Sequence, residues 1–279
     1  MPSPPCTATP CAAPLIALGV LSAQSNLPRR LGIRQSWGRY EDVQSGRVLL
    51  RFVIGVTGDE VGSTIEALRV EAAENPDVQL LNVRITGRKL GPMHTTFAWL
   101  QHSTSTLPCS SAAYVAKLDD DCYINVPELV QHLTLLQHLP MVYYGIFYYS
   151  TWLHTGYRHF ASGYDPRALK WQGGECMRSG NCSSPFPFAA APAQVLSIDL
   201  AAAIAASPLA YDYTTSSLDI LSDPKQNASS TFASEDVWIG YAIHDLLPSS
   251  VDPYLSRFCL GQRDNYSEAD IRVPRGSML

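Results

Sequence analysis

Short apolar runs that alternate with helical periods constrain this chain more than any other feature. "LIALGVLSA" (15–23), "RVLLRFVIGV" (47–56) and "AAYVAKL" (112–118) are aliphatic and bounded by Pro, Gly or charged residues, the signature of buried strands. "DVQLLNVRI" (77–85) and the aromatic "MVYYGIFYY" (141–149) also read as strands. Between them, "SNLPRRLGIRQSWGRY" (25–40) sets Leu27 with Leu31 and Ile33 with Trp37 at helical spacing. "EVGSTIEALRVEAAEN" (60–75) opens on an acidic residue, as helices prefer, and "MHTTFAWLQHSTS" (93–105) is a further helix. "VPELVQHLTLLQHL" (126–139) is amphipathic with Pro at its start. Strands alternating with helices predict an α/β chain with a mainly parallel, helix-covered central sheet. In such sheets ligands gather beyond the carboxyl ends of the strands.

The chain has 279 residues, 46% of them hydrophobic, enough for a sizeable core. No linker splits it. Residues 1–13, mostly Pro, Ser, Ala and Thr, read as a loose tail, and 14–279 as one domain. The Ser-rich 214–234 reads as a long surface loop. A net charge of −5 with no basic stripe argues against nucleic acid. The longest apolar window, "PCAAPLIALGVLSA", falls short of the ~20 residues that a spanning helix needs. It also lacks the basic flank of a signal peptide. Membrane attachment is therefore expected only through an anchor outside this chain.

Three sequons, at Asn181, Asn227 and Asn265, exceed the single one expected by chance and tilt the reading towards the secretory pathway. Cys176 and Cys182 in "CMRSGNC" are close enough to close a small disulfide loop. The remaining cysteines show no metal-like spacing.

"YVAKLDDDCYINV" (114–126) places Asp119, Asp120 and Asp121 directly after a strand, at the expected site edge. An acidic turn is the plainest reading. An EF-hand loop fails, because Tyr123 and Ile124 stand where an oxygen ligand and Gly are required. The third reading is a divalent-cation site for a diphosphate, since hard carboxylate oxygens suit Mg²⁺ or Mn²⁺.

The surrounding residues favour the third. "KLDDDCYINVPEL" resembles the K-x-DDD-x-[FY]-x-N/R-V-x-x-L block of the inverting β-1,3-galactosyltransferase family, glycosyltransferase family 31. "RRLGIRQSW" is similar to its R-x-x-[IV]-R-x-[ST]-W helix, "AAENPDVQLLNV" to its E-x-x-x-x-D-[IL] segment and "SEDVWIGYAI" to its E-D-V-x-[VIL]-G block. The closing "FCLGQRDNYSEADIRVPRGSML" resembles the plant-type branch. The likeness runs over about 14–279. It implies a GT-A fold, a single Rossmann-like domain that binds a UDP-sugar with Mn²⁺ and transfers the sugar with inversion to a glycan or glycoprotein acceptor. It implies Asp121 as metal ligand, Asp119 and Asp120 beside the nucleotide, and Asp236 of E-D-V as general base. It implies galactose as the sugar, with N-acetylglucosamine the second choice, and residence on the lumenal side of the Golgi apparatus. Arg30 and Arg34, four apart on one helix face, match the family's two arginines and are candidates for phosphate or for carboxylates on the core rim. Trp37, on the same helix, and most of the tyrosines at 143, 144, 148 and 149 read as packing; Trp171 is a candidate for stacking on a sugar.

Three departures bear on activity. The family's C-terminal histidine ligand is missing, and Asp270 is the best candidate for its place. "AAAPAQ" puts Ala191 and Ala193 at two family glycines and Gln194 at a tyrosine. "LGPMHTT" puts His94 at a lysine. These substitutions open an alternative, a catalytically silent relative that binds nucleotide sugar or glycan only.

Overall fold

The computed structural model describes residues 13–86, 90–106, 112–153, 159–165, 170–171, 186–208, 210–211, 214 and 235–246. Its strands are β1 (Ile16–Leu21), β2 (Val48–Val56), β3 (Val78–Asn82), β4 (Tyr114–Asp119), β5 (Tyr143–Leu153), β6 (His159–Asp165), β7 (Lys170–Trp171) and β8 (Phe186–Ser197). The helices are α1 (Leu27–Gln35), α2 (Glu41–Gln44), α3 (Ser63–Glu74), α4 (Gly91–Ser105), α5 (Val126–Leu136), α6 (Ile198–Ala205) and α7 (Glu235–Leu246). One sheet runs in the order β3-β2-β1-β4-β8-β5-β6-β7.

The parallel core expected from the alternation is β3-β2-β1-β4. Its strands are mostly apolar on both faces, as burial beneath two helix layers favours, with Lys117 of β4 the main buried exception. Ala17, Val53 and Val115 face one cluster with Phe97 and Trp99 of α4 and Trp238 of α7. Their neighbours Leu18, Phe52 and Ala116 face the other cluster, with Ile33 of α1, Leu68 of α3 and Val130 of α5. The period of two along each strand thus splits the core between two faces. The α4 layer meets the sheet closely: a Cβ on Gly19 would lie 2.4 Å from Trp99 Nε1, which itself donates to the Ala116 carbonyl at 3.0 Å.

Two local features depart from the periodicity. Helical spacing over 25–40 predicts one helix, but α1 ends at Gln35 and a 3₁₀ turn follows at Trp37–Arg39. Ser36 Oγ donates back to the Gly32 carbonyl at 2.7 Å, competing with the helix ladder. Trp37 is 2% exposed, as its packing role requires. The second departure is the other half of the sheet, which is antiparallel: β8 pairs with β4 and β5, and β6 pairs with β5. β8 carries Pro187 and Pro192, residues that a sheet tolerates at bulges. Its register against β5 jumps from Gly145↔Gln194 to Ile146↔Ala190, so residues 191–193 form the bulge.

Candidate active site

Asp119 closes β4, and Asp120 and Asp121 turn away from the sheet beyond it. Asn125 caps the next helix: its side chain accepts from the Glu128 N–H and donates to Glu128 Oε2 at 3.0 Å. The acidic turn is thereby clamped between a buried strand and a capped helix. Cys122 holds it from the side through its carbonyl, which accepts from Trp37 Nε1 at 3.2 Å.

The three aspartates have different surroundings. Asp120 is buried; its Oδ2 accepts from Ser22 Oγ and Asn26 Nδ2, both at 2.8 Å, and its Oδ1 from Arg29 Nη1 at 2.7 Å. Asp121 is exposed, with Oδ2 3.2 Å from the same Arg29 nitrogen. Asp119 is half-buried, 3.0 Å from Lys117 Nζ.

Lys117 organises the rest of the site. Two residues before Asp119 on β4, it lies on the same sheet face. Its ammonium is 1% exposed and also lies 2.9 Å from Glu235 Oε1 and 3.0 Å from Asp236 Oδ1. Burial disfavours that charge, but Glu235, Asp236 and Asp119 outweigh it and hold the ammonium above the ordinary lysine range. Burial pushes the Glu235 carboxyl up, and Asp236 adds to the rise against the pull of Lys117. Gln194, the register partner of Lys117 on β8, donates through Nε2 to the same Asp236 Oδ1 at 2.9 Å and to the Ala189 carbonyl. Its Oε1 is buried with no partner among the described residues.

α7 is docked so closely that a Cβ on Gly240 would stand 2.6 Å from the Pro187 carbonyl and 2.5 Å from Phe188 Cβ on β8. Trp238 packs edge-on against Phe97 at 5.7 Å. These contacts set the start of α7, with Glu235 and Asp236, against the carboxyl end of β4.

Asp119, Asp121 and Cys122 bring their ligand atoms within 4.8 Å of one another. The thiol is pushed up to about 11, by burial and then by the two aspartates, so it stays protonated. The useful donors are carboxylate oxygens, a hard set that fits Mn²⁺ or Mg²⁺. Among the described residues, five carboxylates here face two cations, Lys117 and Arg29, which also favours a cation.

Arg30 and Arg34 are paired with carboxylates. Arg30 is 1% exposed and spends its guanidinium on Glu71, on Ser22 Oγ at 3.0 Å and on the Ala23 and Gln24 carbonyls. Arg34 binds Asp77 at 2.7 and 2.8 Å and Glu71 at 3.0 Å. Burial alone would raise the Glu71 carboxyl, but its hydrogen bonds to the two guanidiniums prevail and lower it. Both arginines thus take the core-rim carboxylates. Arg30 reaches the cluster only through Ser22, whose hydroxyl bonds Asp120.

Sequence reasoning did not single out Arg29 or Lys117. The K-x-D spacing was the available signal for Lys117; nothing local distinguishes Arg29 from Arg30. His94 is 5% exposed, its Nε2 has no partner among the described residues, and burial, then Arg84, lowers it to about 4, so it carries no charge at neutral pH. Asp270, the three sequons, Cys176 and Cys182 lie outside the described residues, as does nearly all of the Ser-rich 214–234. The side chains of Ala191, Tyr148, Tyr149 and Trp171 are likewise outside the description; Tyr143 is buried in the core.

Comparison with known proteins places the chain among glycosyltransferase relatives. The sequence is 28% identical over 136 residues to beta-1,3-galactosyltransferase GALT1 of Arabidopsis thaliana, covering 47% of this chain and 19% of that protein. It is 34% identical over 129 residues to beta-1,3-galactosyltransferase 4 of Homo sapiens, covering 45% and 33%. It is 31% identical over 126 residues to N-acetyllactosaminide beta-1,3-N-acetylglucosaminyltransferase 2 of Mus musculus, covering 44% and 30%. The chain thus spans a third or less of the length of these relatives. The pattern of the family described as Galactosyltransferase matches residues 28–252, well over half of the chain and inclusive of both the aspartate turn and α7, and the chain belongs to that family.

Proposed function

We propose that this chain is an inverting, metal-dependent glycosyltransferase that moves galactose from a UDP-sugar to a glycan or glycoprotein acceptor in β-1,3 linkage. N-acetylglucosamine is the second donor sugar to test, because relatives of both names match. The observation that carries the reading is the juxtaposition of the Asp119–Asp121 turn with Asp236, 119 positions from Lys117 in sequence but bonded to it. Asp121 would hold the ion, with Asp119 beside it and Asp270 as a further ligand. When bound, Mn²⁺ neutralises the charge that develops on the departing diphosphate.

The chain's own residues do the rest. An acceptor hydroxyl is a weak nucleophile, so Asp236 takes its proton as the hydroxyl attacks the anomeric carbon opposite the leaving group, a contribution typically of 10²–10⁴-fold. Lys117 and Gln194 both hold Asp236 Oδ1, which orients the carboxylate before the acceptor arrives. Asp120, fixed by Ser22 and Asn26, sets the turn beside the nucleotide. The Golgi lumen is the proposed compartment, on the strength of the sequons and the family. Among the described residues no helix is long and apolar enough to cross a membrane.

Asp236→Asn keeps shape and removes basicity. Expected are near-normal affinity for UDP-sugar and Mn²⁺ and a turnover lower by ~10²–10⁴. Glu235→Gln is the control; loss of turnover there, with Asp236→Asn active, moves the base by one residue. The second reading, a silent binder, draws on the alanines at 191 and 193. Donor binding without transfer to any acceptor would favour it.

A further inference from the structure

α1 carries three arginines within six residues, and the fold gives them different duties. Arg30 and Arg34 are committed to Glu71 and Asp77. Arg29 is different. Its side chain is 49% exposed, and it is the α1 guanidinium that reaches the aspartate turn. One nitrogen, Nη1, makes both contacts, 2.7 Å to Asp120 and 3.2 Å to Asp121; its other N–H groups have no partner among the described residues.

Neither aspartate depends on Arg29. Asp120 already has two neutral donors on Oδ2, from Ser22 and Asn26. Asp121 is 60% exposed and solvated. The Arg29–Asp121 pair is exposed on both sides and stabilises a fold by little, and the half-exposed guanidinium is the outermost of the three donors to Asp120, so it is able to exchange partners. A diphosphate has an obvious claim on it, because guanidinium groups bind phosphate oxygens with paired, charge-assisted hydrogen bonds. Asp121 would hold the ion that neutralises the diphosphate, and Arg29 already touches that carboxylate.

We propose that Arg29 is the protein's cationic contact for the diphosphate of the donor, resting on Asp120 and Asp121 until ion and nucleotide arrive. This rests on the reading of Asp121 as the metal carboxylate. It replaces Arg30 and Arg34 as phosphate contacts and gives the two α1 neighbours separate roles: Arg30 braces the turn from inside, and Arg29 meets the ligand from outside. Before binding, Arg29 competes with the ion for Asp121. After binding, it helps the ion to hold the leaving group. Its removal therefore has opposite effects on the two ligands, a signature that a purely structural ion pair does not have.

The experiment compares the full chain with its Arg29→Gln and Arg29→Lys variants by calorimetry, first with Mn²⁺ alone and then with UDP at saturating Mn²⁺. For Arg29→Gln, Mn²⁺ alone is expected to bind about threefold tighter, the scale of an exposed ion pair removed. UDP is expected to bind about tenfold weaker, the scale of a lost charged hydrogen bond. Arg29→Lys keeps the charge without the fork and falls between. Unchanged UDP affinity in Arg29→Gln overturns the inference, and so does weaker Mn²⁺ binding, which would make Arg29 a brace for Asp121. If the unmutated chain shows no Mn²⁺-dependent UDP binding, the reading of the site fails and takes this inference with it. The two failures are distinct, because only the second is seen without a variant.

Discussion

Lys117→Met tests whether one buried ammonium joins the two halves of the site. The lysine side chain is 1% exposed, and its partners Asp119, Glu235 and Asp236 are 33%, 18% and 14% exposed at 3.0, 2.9 and 3.0 Å. At an effective dielectric near 20, one contact of that length is worth roughly 5 kcal/mol before desolvation is subtracted. Removing one partner of a fully buried pair costs about 3–5 kcal/mol, because the opposite charge is left stranded. Here the carboxylates keep some water, so the lower end applies, about 3 kcal/mol, with a fall in Tm on the order of 10 °C. The pH dependence has a definite sign. Lys117 is raised, so its own contribution is complete below the unfolded value of about 10.4 and constant between pH 5 and 8. Glu235 is already raised by burial, and without the ammonium it takes up a proton at still higher pH. The penalty should therefore be larger at pH 7.5 than at pH 5, where protonation relieves the stranded charge. Urea denaturation at both pH values measures it. Adding Glu235→Gln and Asp236→Asn to Lys117→Met should recover much of the loss, since the carboxylates that need the ammonium are then neutral. A cost under about 1 kcal/mol, or one that does not change with pH, would refute the stranded-charge argument.

Further variants probe other links. Asp121→Ala should abolish Mn²⁺-dependent UDP binding while circular dichroism shows the fold intact; persistent Mn²⁺ dependence would remove Asp121 from the metal site. Gly240→Ala forces a methyl against the Pro187 carbonyl and Phe188. It should cost about 1–3 kcal/mol in denaturation and lower turnover by shifting Asp236, whereas a neutral result would mean that α7 stands further from β8. His94 is lowered to about 4, so the unfolded chain binds its proton first as the pH falls below 6.5. Stability from this group should fade between those values, by up to roughly 3 kcal/mol. His94→Met should flatten that part of the stability profile, and identical profiles for the two proteins would show that another group is responsible.

Sequence alone determined those features whose physical cause is local. A strand announces itself through an apolar run and a helix through an i, i+4 stripe, so β1, β2, β4, α4 and α5 were legible from residues a few positions apart. The place of the aspartate turn followed as well, because a charged triplet after a buried strand has nowhere to go but the sheet's carboxyl edge. Tertiary structure decided what depends on contacts across the chain. Arg29 and Arg30 are adjacent and chemically alike, yet one faces solvent and the other is 1% exposed, because the helix rotates by about 100° per residue and only packing says which face turns inward. β8 holds two prolines and an alanine run, weak strand formers, and becomes a strand because β4 and β5 pair with it on either side. Lys117 gives no local sign that it will neutralise Glu235 and Asp236, more than a hundred positions away. That pairing exists because α7, seated through Gly240 and Trp238, brings its acidic first turn over a buried ammonium that has little water to turn to instead.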